Sequence, residues 1–374
     1  MNIAIPREQY SNEKRVVMIP SDVAKLVKRG AQITIESGMG IASRYSDEEY
    51  TKAGASVTDN RKNLLSNADL VLRLRKPPLE EIDWLKKGCL HISFLDPFND
   101  QKLLETLAQK GISAIGMEMI PRSTRAQKMD ALSSQASLAG YVAVVLAAER
   151  IDRILPMMST PAGTISPARV FIIGAGVAGL QAIATAKRLG ARVDAFDTRP
   201  EVAEQIRSLG GKPLEIDLGK TEGTKDGYAK QLTPEQLELQ RKAMAKQCAM
   251  SDILITTAQV FGRKAPIIIT RDMLAQMKPG SIVIDLAIET GGNVEGAVLG
   301  QEIDLNGVHI IGLENLPGKV AIHASQMYSS NLCALLEEFW DKETKSFNLN
   351  LQDEIITRSL VTHKGEIVNQ MLKK

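Results

Sequence analysis

The chain has 374 residues, which is more than one ordinary domain needs and enough for two domains with substantial cores. Apolar residues make up 44% and charged residues 24%, as in soluble globular proteins, and a net charge of +2 gives no electrostatic case for binding nucleic acid. Three widely separated cysteines show neither metal-ligand spacing nor a disulfide framework, so we expect no metal and a reducing compartment.

The first third of the chain alternates short apolar segments with amphipathic ones. Strands that alternate with helices form parallel sheets, so this pattern predicts a doubly wound α/β domain over residues 1–126. The predicted strands are 2–5, 32–36, 69–74, 90–95 and 112–119, and the predicted helices are 21–29, 78–86 and 100–110.

A long helix is predicted over residues 127–150, and a second one over 322–341. Between them lies a second alternating series, 151–321, so the sequence predicts two Rossmann-like domains joined by long helices. We expect residues 342–374 to return to the first domain; packing on the second domain is the open alternative. The longest apolar run, 139–148, is far shorter than the ~20 residues of a membrane span, so we expect a soluble chain. The predicted strands of the second series are 169–173, 192–196, 253–256, 281–286 and 308–312.

The first strand of the second series runs into a G-x-G-x-x-G turn and a helix. Gly174 permits the tight turn, Gly176 lets a pyrophosphate approach the backbone, and Gly179 lets helix and strand pack closely. The first N–H groups of the helix then face the phosphates. Asp197 ends the next strand, where a carboxylate binds ribose hydroxyls and repels a 2′-phosphate. This favours NAD(H) over NADP(H), although Arg199 can soften the preference.

A polar, glycine-containing segment at about 218–234 breaks the alternation before a polar helix that starts at Pro234. Compact domains rarely keep a long polar loop without a use for it. We interpret the segment as a mobile loop in which Tyr228 closes over a ligand, and a disordered insertion is the open alternative.

Four residues are candidates for a general base: Lys76, His91, Glu289 and His323. His91 lies in an apolar strand and is at least as well explained as a core histidine. Glu289 fits a cleft as well as a turn cap. Spacing alone pairs none of them with an orienting group.

Four polar residues, Arg122, Gln127, Asp130 and Ser133, stand at the head of the first long helix. A guanidinium, an amide, a carboxylate and a hydroxyl suit a carboxamide and a pyrophosphate better than proton abstraction. A helix cap formed by Asp130 or Ser123 is an equally good interpretation.

At these residues the chain resembles the NAD(H)-binding component, domain I of the alpha subunit, of proton-translocating NAD(P) transhydrogenase. The Arg-Ala-Gln-x-Met-Asp stretch at 125–130 and the Gly-Tyr-Ala-Lys stretch at 227–230 are specific to that family, and the remainder is shared with alanine dehydrogenase. The resemblance covers essentially the whole chain and includes 7–8, 15–16, 121–135, 174–189, 208–212, 227–230 and 285–293.

The resemblance implies that Arg122, Gln127, Asp130 and Ser133 hold the nicotinamide and adjacent groups. It also implies further cofactor contacts around the glycine turn. Family members commonly have Ala-Leu-Ile-Pro-Gly at 258–262, where this chain has Ala-Gln-Val-Phe-Gly, and this difference weakens the assignment of Gln259 as a contact. The implied cofactor-binding residues, with those of the turn and the loop, are Gly174, Gly176, Val177, Gly179, Asp197, Thr198, Arg199, Gly227, Tyr228, Gln240 and Gln259.

The resemblance implies a homodimer that exchanges hydride directly between NAD(H) and NADP(H) held on a partner component. A separate membrane proton-channel subunit couples the step to proton movement, which places this chain on the cytoplasmic face of the inner membrane. Direct hydride transfer needs positioning and no acid–base catalyst. Many alpha subunits continue into membrane helices, so the chain resembles the split form.

Two alternatives stay open at this point. One is an alanine dehydrogenase-like enzyme, whose substrate and catalytic positions Arg15, His91 and Glu289 match or nearly match, with Arg75 at the position of its substrate lysine. The other is an NAD-binding regulator without catalytic activity.

Overall fold

The computed structural model describes residues 1–216 and 233–373. The chain divides into two compact units. Unit 1 comprises Met1–Gln135 and Pro317–Lys374, and unit 2 comprises Ala136–Leu316.

Strands and helices alternate along the first part of unit 1, up to a long helix whose residues belong to both units. The strands are β1 (Asn2–Ile5), β2 (Gln32–Glu36), β3 (Ser56–Thr58), β4 (Leu70–Leu72), β5 (Leu90–Ser93) and β6 (Ser113–Gly116). The helices are α1 (Pro20–Lys28), α2 (Asp47–Lys52), α3 (Arg61–Ser66), α4 (Leu79–Ile82), α5 (Gln101–Gln109) and α6 (Ala131–Arg150).

After α6, unit 2 continues with a short hairpin and then repeats the alternation. Its strands are β7 (Met158–Thr160), β8 (Gly163–Ile165), β9 (Arg169–Ile173), β10 (Arg192–Phe196), β11 (Lys212–Pro213), β12 (Ile253–Thr256), β13 (Ile282–Asp285), β14 (Glu302–Leu305) and β15 (Val308–Ile311). Its helices are α7 (Val177–Arg188), α8 (Val202–Ser208), α9 (Pro234–Met250) and α10 (Arg271–Leu274).

The chain then returns to unit 1 through a second long helix. The remaining elements are α11 (Ala321–Glu338), β16 (Trp340–Asp341), β17 (Ser346–Phe347), α12 (Glu354–Ser359), β18 (Leu360–His363) and β19 (Glu366–Ile367).

The sheet of unit 1 has the order β19-β18-β6-β5-β4-β1-β2-β3. The pairs from β6 to β3 are parallel, whereas β18 runs antiparallel to β6 and to β19. Alternate residues of one strand enter different cores: Ile3 and Ile5 belong to one cluster and Ala4 to another. Successive side chains of a strand point to opposite faces, so both faces of this sheet are covered.

The sheet of unit 2 has the order β11-β10-β9-β12-β13-β15-β14, parallel except for the β14–β15 pair. Both sheets therefore place their first six parallel strands in the order 3-2-1-4-5-6 of a doubly wound fold. This confirms the predicted fold class of two Rossmann-like domains, with antiparallel strands added at one edge of each sheet.

The two long helices differ from their predicted bounds. Residues Gln127–Met129 form a separate 3-10 turn, and α6 begins at Ala131, because Asp130 adopts ψ 85° and interrupts the helical backbone. The second helix, α11, ends at Glu338 and not at 341, since Trp340–Asp341 pairs with β17 instead.

Helix α6 spans 20 residues, so the apolar run 139–148 is only a part of it. By length and composition alone it reaches the size of a membrane-spanning helix. The core helix of a soluble protein has the same properties, and nearly half of this one is buried.

Candidate dinucleotide-binding site

The glycine turn between β9 and α7 has almost no room for side chains at two of its three glycines. Gly174 has a φ of 89°, and a Cβ there would lie 2.6 Å from Thr257 Oγ1. A Cβ on Gly179 would lie 1.8 Å from the carbonyl oxygen of Gly174. Gly176 differs, because a Cβ there would have no heavy atom within 4 Å. The turn therefore needs two glycines for its own packing and keeps open space at the third.

Two neighbouring elements hold this turn in place. The Thr257 hydroxyl donates to the Gly174 carbonyl at 2.9 Å, and the Thr257 amide donates to the Ile173 carbonyl at 2.8 Å. On the other side, a Cβ on Gly140 of α6 would lie 2.1 Å from the Ala178 carbonyl oxygen. The sequence did not predict that Thr257 or Gly140 supports the glycine turn. For Gly140 the sequence does contain a signal. A glycine inside a helix costs about 1 kcal/mol relative to alanine, and its presence indicates close packing.

Helix α7 begins at Val177 with no side-chain cap, and Gly176 is its N-cap residue. A helix N-terminus carries unpaired N–H groups and a partial positive charge, which together suit a phosphate. Since the open space beside Gly176 adjoins that terminus, the turn fits a pyrophosphate held by backbone amides.

Asp197 follows β10 and accepts four hydrogen bonds. Its Oδ1 accepts from the Arg199 amide and from Arg199 Nε, both at 2.9 Å. Its Oδ2 accepts from the Ala175 amide at 2.8 Å and from Arg199 Nη2 at 3.0 Å. Burial alone would raise the pKa of Asp197, but these donors outweigh it and lower the pKa below its ordinary value. Asp197 is therefore an ionised carboxylate beside the glycine turn.

The loop that follows β12 is fixed by the fully buried Asn293. Its Oδ1 accepts from the Ala258 amide at 3.0 Å, and its Nδ2 donates to the carbonyls of Ala258 and Pro266 at 2.9 and 2.8 Å. Asp285, also fully buried, accepts from the Asn293 amide at 2.7 Å. This network holds the loop against the glycine turn, where a Cβ on Gly174 would lie 3.2 Å from the Ala258 amide.

The other predicted cofactor-binding residues differ in exposure and in hydrogen bonding. Val177 and Thr198 are exposed. Gln259 is exposed and donates to the Leu286 carbonyl at 3.1 Å, so its side chain is engaged with the loop. Among the described residues, Gln240 Oε1 is buried without a hydrogen-bond partner, which is a polar atom suited to a ligand donor. Gly227 and Tyr228 lie outside the described residues.

The polar residues before α6 fall into two pairs. Asp130 Oδ1 accepts from the Ser133 amide at 2.9 Å, and Ser133 Oγ donates to Asp130 Oδ2 at 2.6 Å. Asp130 therefore caps α6, as the second interpretation of this segment proposed. Arg122 and Gln127 are exposed, and no hydrogen bond or ion pair of their side chains occurs within residues 1–216 and 233–373.

The polar residues that follow Ser133 bind within unit 1 to α11. Ser134 Oγ donates to Asn331 Oδ1 at 2.7 Å, and Asn331 Nδ2 donates to the Lys128 carbonyl at 2.8 Å. Gln135 donates to the Ala324 carbonyl at 3.0 Å. These bonds explain why a packed helix begins with so many polar groups.

The four candidate bases occupy structural or exposed positions. His91 is fully buried and bonds Ser93 Oγ at 3.0 Å, and burial together with Arg73 lowers its pKa to about 3. Lys76 pairs with Asp100 at 2.7 Å. Glu289 accepts from the Asn315 amide at 2.6 Å. The last candidate, His323, is exposed on α11. Within the described residues, Nδ1 of His91 is buried without a hydrogen-bond partner, and Glu289 binds the backbone at Asn315.

Two arginines near the start of unit 1 are neutralised by one glutamate. Arg15 donates to Glu13 through Nε at 2.8 Å and Nη2 at 2.7 Å, and Arg75 Nε donates to Glu13 at 3.0 Å. Burial alone would raise the pKa of Glu13, but Arg15 and Arg75 lower it to about 2. The third contact of Arg15 is Gln135, at 2.8 Å. Both guanidiniums therefore already have a carboxylate partner.

Comparison with known protein families agrees with this architecture. Residues 4–139 match the model of the N-terminal domain of alanine dehydrogenase/PNT, and residues 143–370 match that of the C-terminal domain. The chain belongs to the alanine dehydrogenase/PNT family. Within it, the chain is 42% identical over 379 residues to the first part of NAD(P) transhydrogenase subunit alpha of Rhodospirillum rubrum, covering 100% of this chain and 99% of the relative.

Solved structures of the alanine dehydrogenase/PNT family give the same result. A crystal structure of transhydrogenase from Sinorhizobium meliloti superposes with a TM-score of 0.88 at 43% identity, covering 98% of this chain and 100% of that one. An L-alanine dehydrogenase superposes with a TM-score of 0.82 at 26% identity, covering 100% and 98%. The higher identity to the transhydrogenases confirms the resemblance to the transhydrogenase alpha subunit.

Proposed function

We propose that this chain is the NAD(H)-binding subunit of a proton-translocating transhydrogenase. In this role it passes hydride directly from NADH to NADP⁺ held on a partner component. The observation that carries the proposal is the intact glycine turn, with its open space at Gly176 and its ribose-type acid at Asp197, in a chain so similar to transhydrogenase alpha subunits.

The contacts of the candidate bases support hydride transfer without acid–base catalysis. An alanine dehydrogenase must move protons as well as hydride, and it must bind a substrate carboxylate. Here burial and the nearby Arg73 lower the pKa of His91 to about 3, which disfavours this residue as a general base near neutral pH. Arg15 and Arg75 already share Glu13. Exchange between two nicotinamides needs only that the rings be positioned.

The partners in this proposal are an NADP(H)-binding component, a separate membrane proton-channel subunit and a second copy of this chain. The complex places the chain on the cytoplasmic face of the inner membrane. The homodimer is supported by hairpin β7–β8, whose residues are all exposed. Met158 and Ile165 there are 44% and 52% exposed, and the adjacent Met157 is 65% exposed, so a second copy would remove this apolar surface from water.

We assign the nicotinamide ring to Arg122, Gln127, Asp130 and Ser133. Gln127→Ala is expected to slow hydride transfer at least tenfold with NADH affinity changed less than about threefold, because it displaces the ring without removing the main binding contacts. Asp130→Asn should behave likewise, since asparagine also caps helices well and keeps α6 intact. Single-turnover rates with a transhydrogenase NADP(H) component, measured beside NADH titrations, check both variants.

The control for this pair is Lys128→Ala, which removes an exposed side chain next to Gln127. It should leave both quantities unchanged. Equal losses of rate and affinity in the Gln127 variant would contradict a positioning role and favour a purely structural one.

A further inference from the structure

One feature of the dinucleotide site is still unexplained: hydrogen bonds within the protein occupy all the acceptor sites of the Asp197 carboxylate. A carboxylate offers about four lone-pair sites. All four are used: two by the amides of Ala175 and Arg199, and two by the fork of the Arg199 side chain. An adenosine ribose cannot bond to this carboxylate until some donor leaves.

The two backbone donors belong to the glycine turn and to the segment after β10, so they are fixed by the fold. The guanidinium is the donor that is free to move, because the Arg199 side chain is 39% exposed whereas that of Asp197 is 9% exposed. The Arg199 guanidinium donates two hydrogen bonds to the Asp197 carboxylate. The 2′- and 3′-hydroxyls of a ribose can donate the same number.

We propose that Arg199 is a specificity-determining residue that occupies the ribose-binding oxygens of Asp197 and is displaced when a dinucleotide binds. With NAD(H), two ribose hydroxyls replace the two N–H groups, and the lost ion pair lowers the affinity. The adenosine ribose of NADP(H) carries a 2′-phosphate and keeps only its 3′-hydroxyl to donate to Asp197. The displaced guanidinium of Arg199 then pairs with the phosphate. Arg199 therefore weakens NAD(H) binding and narrows the discrimination against NADP(H).

This inference rests on the proposed function only in requiring that the turn bind an adenine dinucleotide. It is tested without hydride transfer by titrating the chain with 5′-AMP and with 2′,5′-ADP, which differ by the 2′-phosphate. Arg199→Ala should bind 5′-AMP several-fold more tightly and 2′,5′-ADP about tenfold more weakly, because a charge-assisted bond to the phosphate is lost. The ratio of the affinity for 5′-AMP to the affinity for 2′,5′-ADP should therefore rise at least tenfold.

Arg192→Ala is the matched control, since Arg192 is an exposed arginine at the opposite end of β10. It should leave the ratio unchanged. The wild-type chain gives an independent readout that needs no variant: salt should weaken binding of 2′,5′-ADP more steeply than that of 5′-AMP, because the guanidinium–phosphate pair is screened.

An unchanged or lower ratio in Arg199→Ala, or equal salt slopes for the two probes, would overturn this role for Arg199 and leave the proposed function intact. Binding of neither probe to the wild-type chain would instead overturn the nucleotide site itself, and this inference with it.

Discussion

Gly176→Ala is expected to weaken NADH binding at least about 100-fold, a loss of about 2.7 kcal/mol in binding free energy, while the chain stays folded. The added Cβ meets no protein atom within 4 Å, so it enters the space that we assign to the pyrophosphate. The backbone at Gly176 (φ −75°, ψ −165°) is accessible to alanine, so the free energy of unfolding should fall by no more than about 1 kcal/mol.

Gly179→Ala is the matched comparison for this experiment. Its Cβ would lie 1.8 Å from the Gly174 carbonyl oxygen, which is backbone and has no room to move away. The free energy of unfolding should fall by about 3 kcal/mol or more, and binding should be lost with it. Denaturant unfolding and NADH titration of both variants separate the two effects. Unimpaired NADH binding by the Gly176 variant would contradict the assignment of the pyrophosphate.

Asn293→Ala is expected to lower the free energy of unfolding by about 3–5 kcal/mol, one of the largest single-site effects in unit 2. The substitution leaves the Ala258 amide and the carbonyls of Ala258 and Pro266 without their bonds to a fully buried side chain. Each unsatisfied group costs about 1–3 kcal/mol. NADH binding should also weaken, because the loop packs against Gly174.

Gln276→Ala is the control for this substitution, because it removes an exposed side-chain amide from the same unit. Gln276 donates to the Asp272 carbonyl at 3.0 Å at the surface, where water can replace the bond. Its replacement should therefore change stability by less than about 0.5 kcal/mol. Urea unfolding of the two variants measures the difference. A loss below about 1 kcal/mol for Asn293→Ala would show that the loop reorganises easily and that Asn293 does not hold it.

Hydrophobic periodicity predicted the central strands well. The bounds of β9, β10 and β12 agree with the predicted strands because each is a short segment in which apolar residues predominate. The peripheral elements β3, α2 and α3 were not assigned, although Ser46 and Glu49 form a capping box that marks the start of α2. Short edge elements carry too few apolar residues for periodicity to be decisive.

The head of α6 shows where sequence reasoning had reached its limit. Spacing alone left a nicotinamide site and a helix cap equally open. The structure shows Asp130 capping α6 through Ser133, and Ser134 and Gln135 bonded to α11. The bonds to α11 join residues 197 and 189 positions apart in the chain, so no local pattern predicts them. Only the family resemblance assigns Gln127 to the ring, and that assignment stays a prediction.

The dinucleotide site likewise has features that the sequence predicts and features that it does not. The order of glycines and the distance to Asp197 were visible in the sequence because strand, turn and helix are consecutive. The supports of the turn, Thr257, Asn293 and Gly140, come from other elements. Their roles depend on the strand order that sets β12 beside β9, and on the close approach of α6 to α7.

The most direct test of direct hydride transfer is to follow the transferred hydrogen itself. NADH carrying deuterium at the transferring C4 position is mixed with this chain and an NADP⁺-loaded transhydrogenase component, and the NADPH is analysed by mass spectrometry. The proposal predicts deuterium in the NADPH, with no hydrogen gained from water. Unlabelled NADPH, or NADH oxidation that requires pyruvate and ammonium and forms no NADPH, would contradict it.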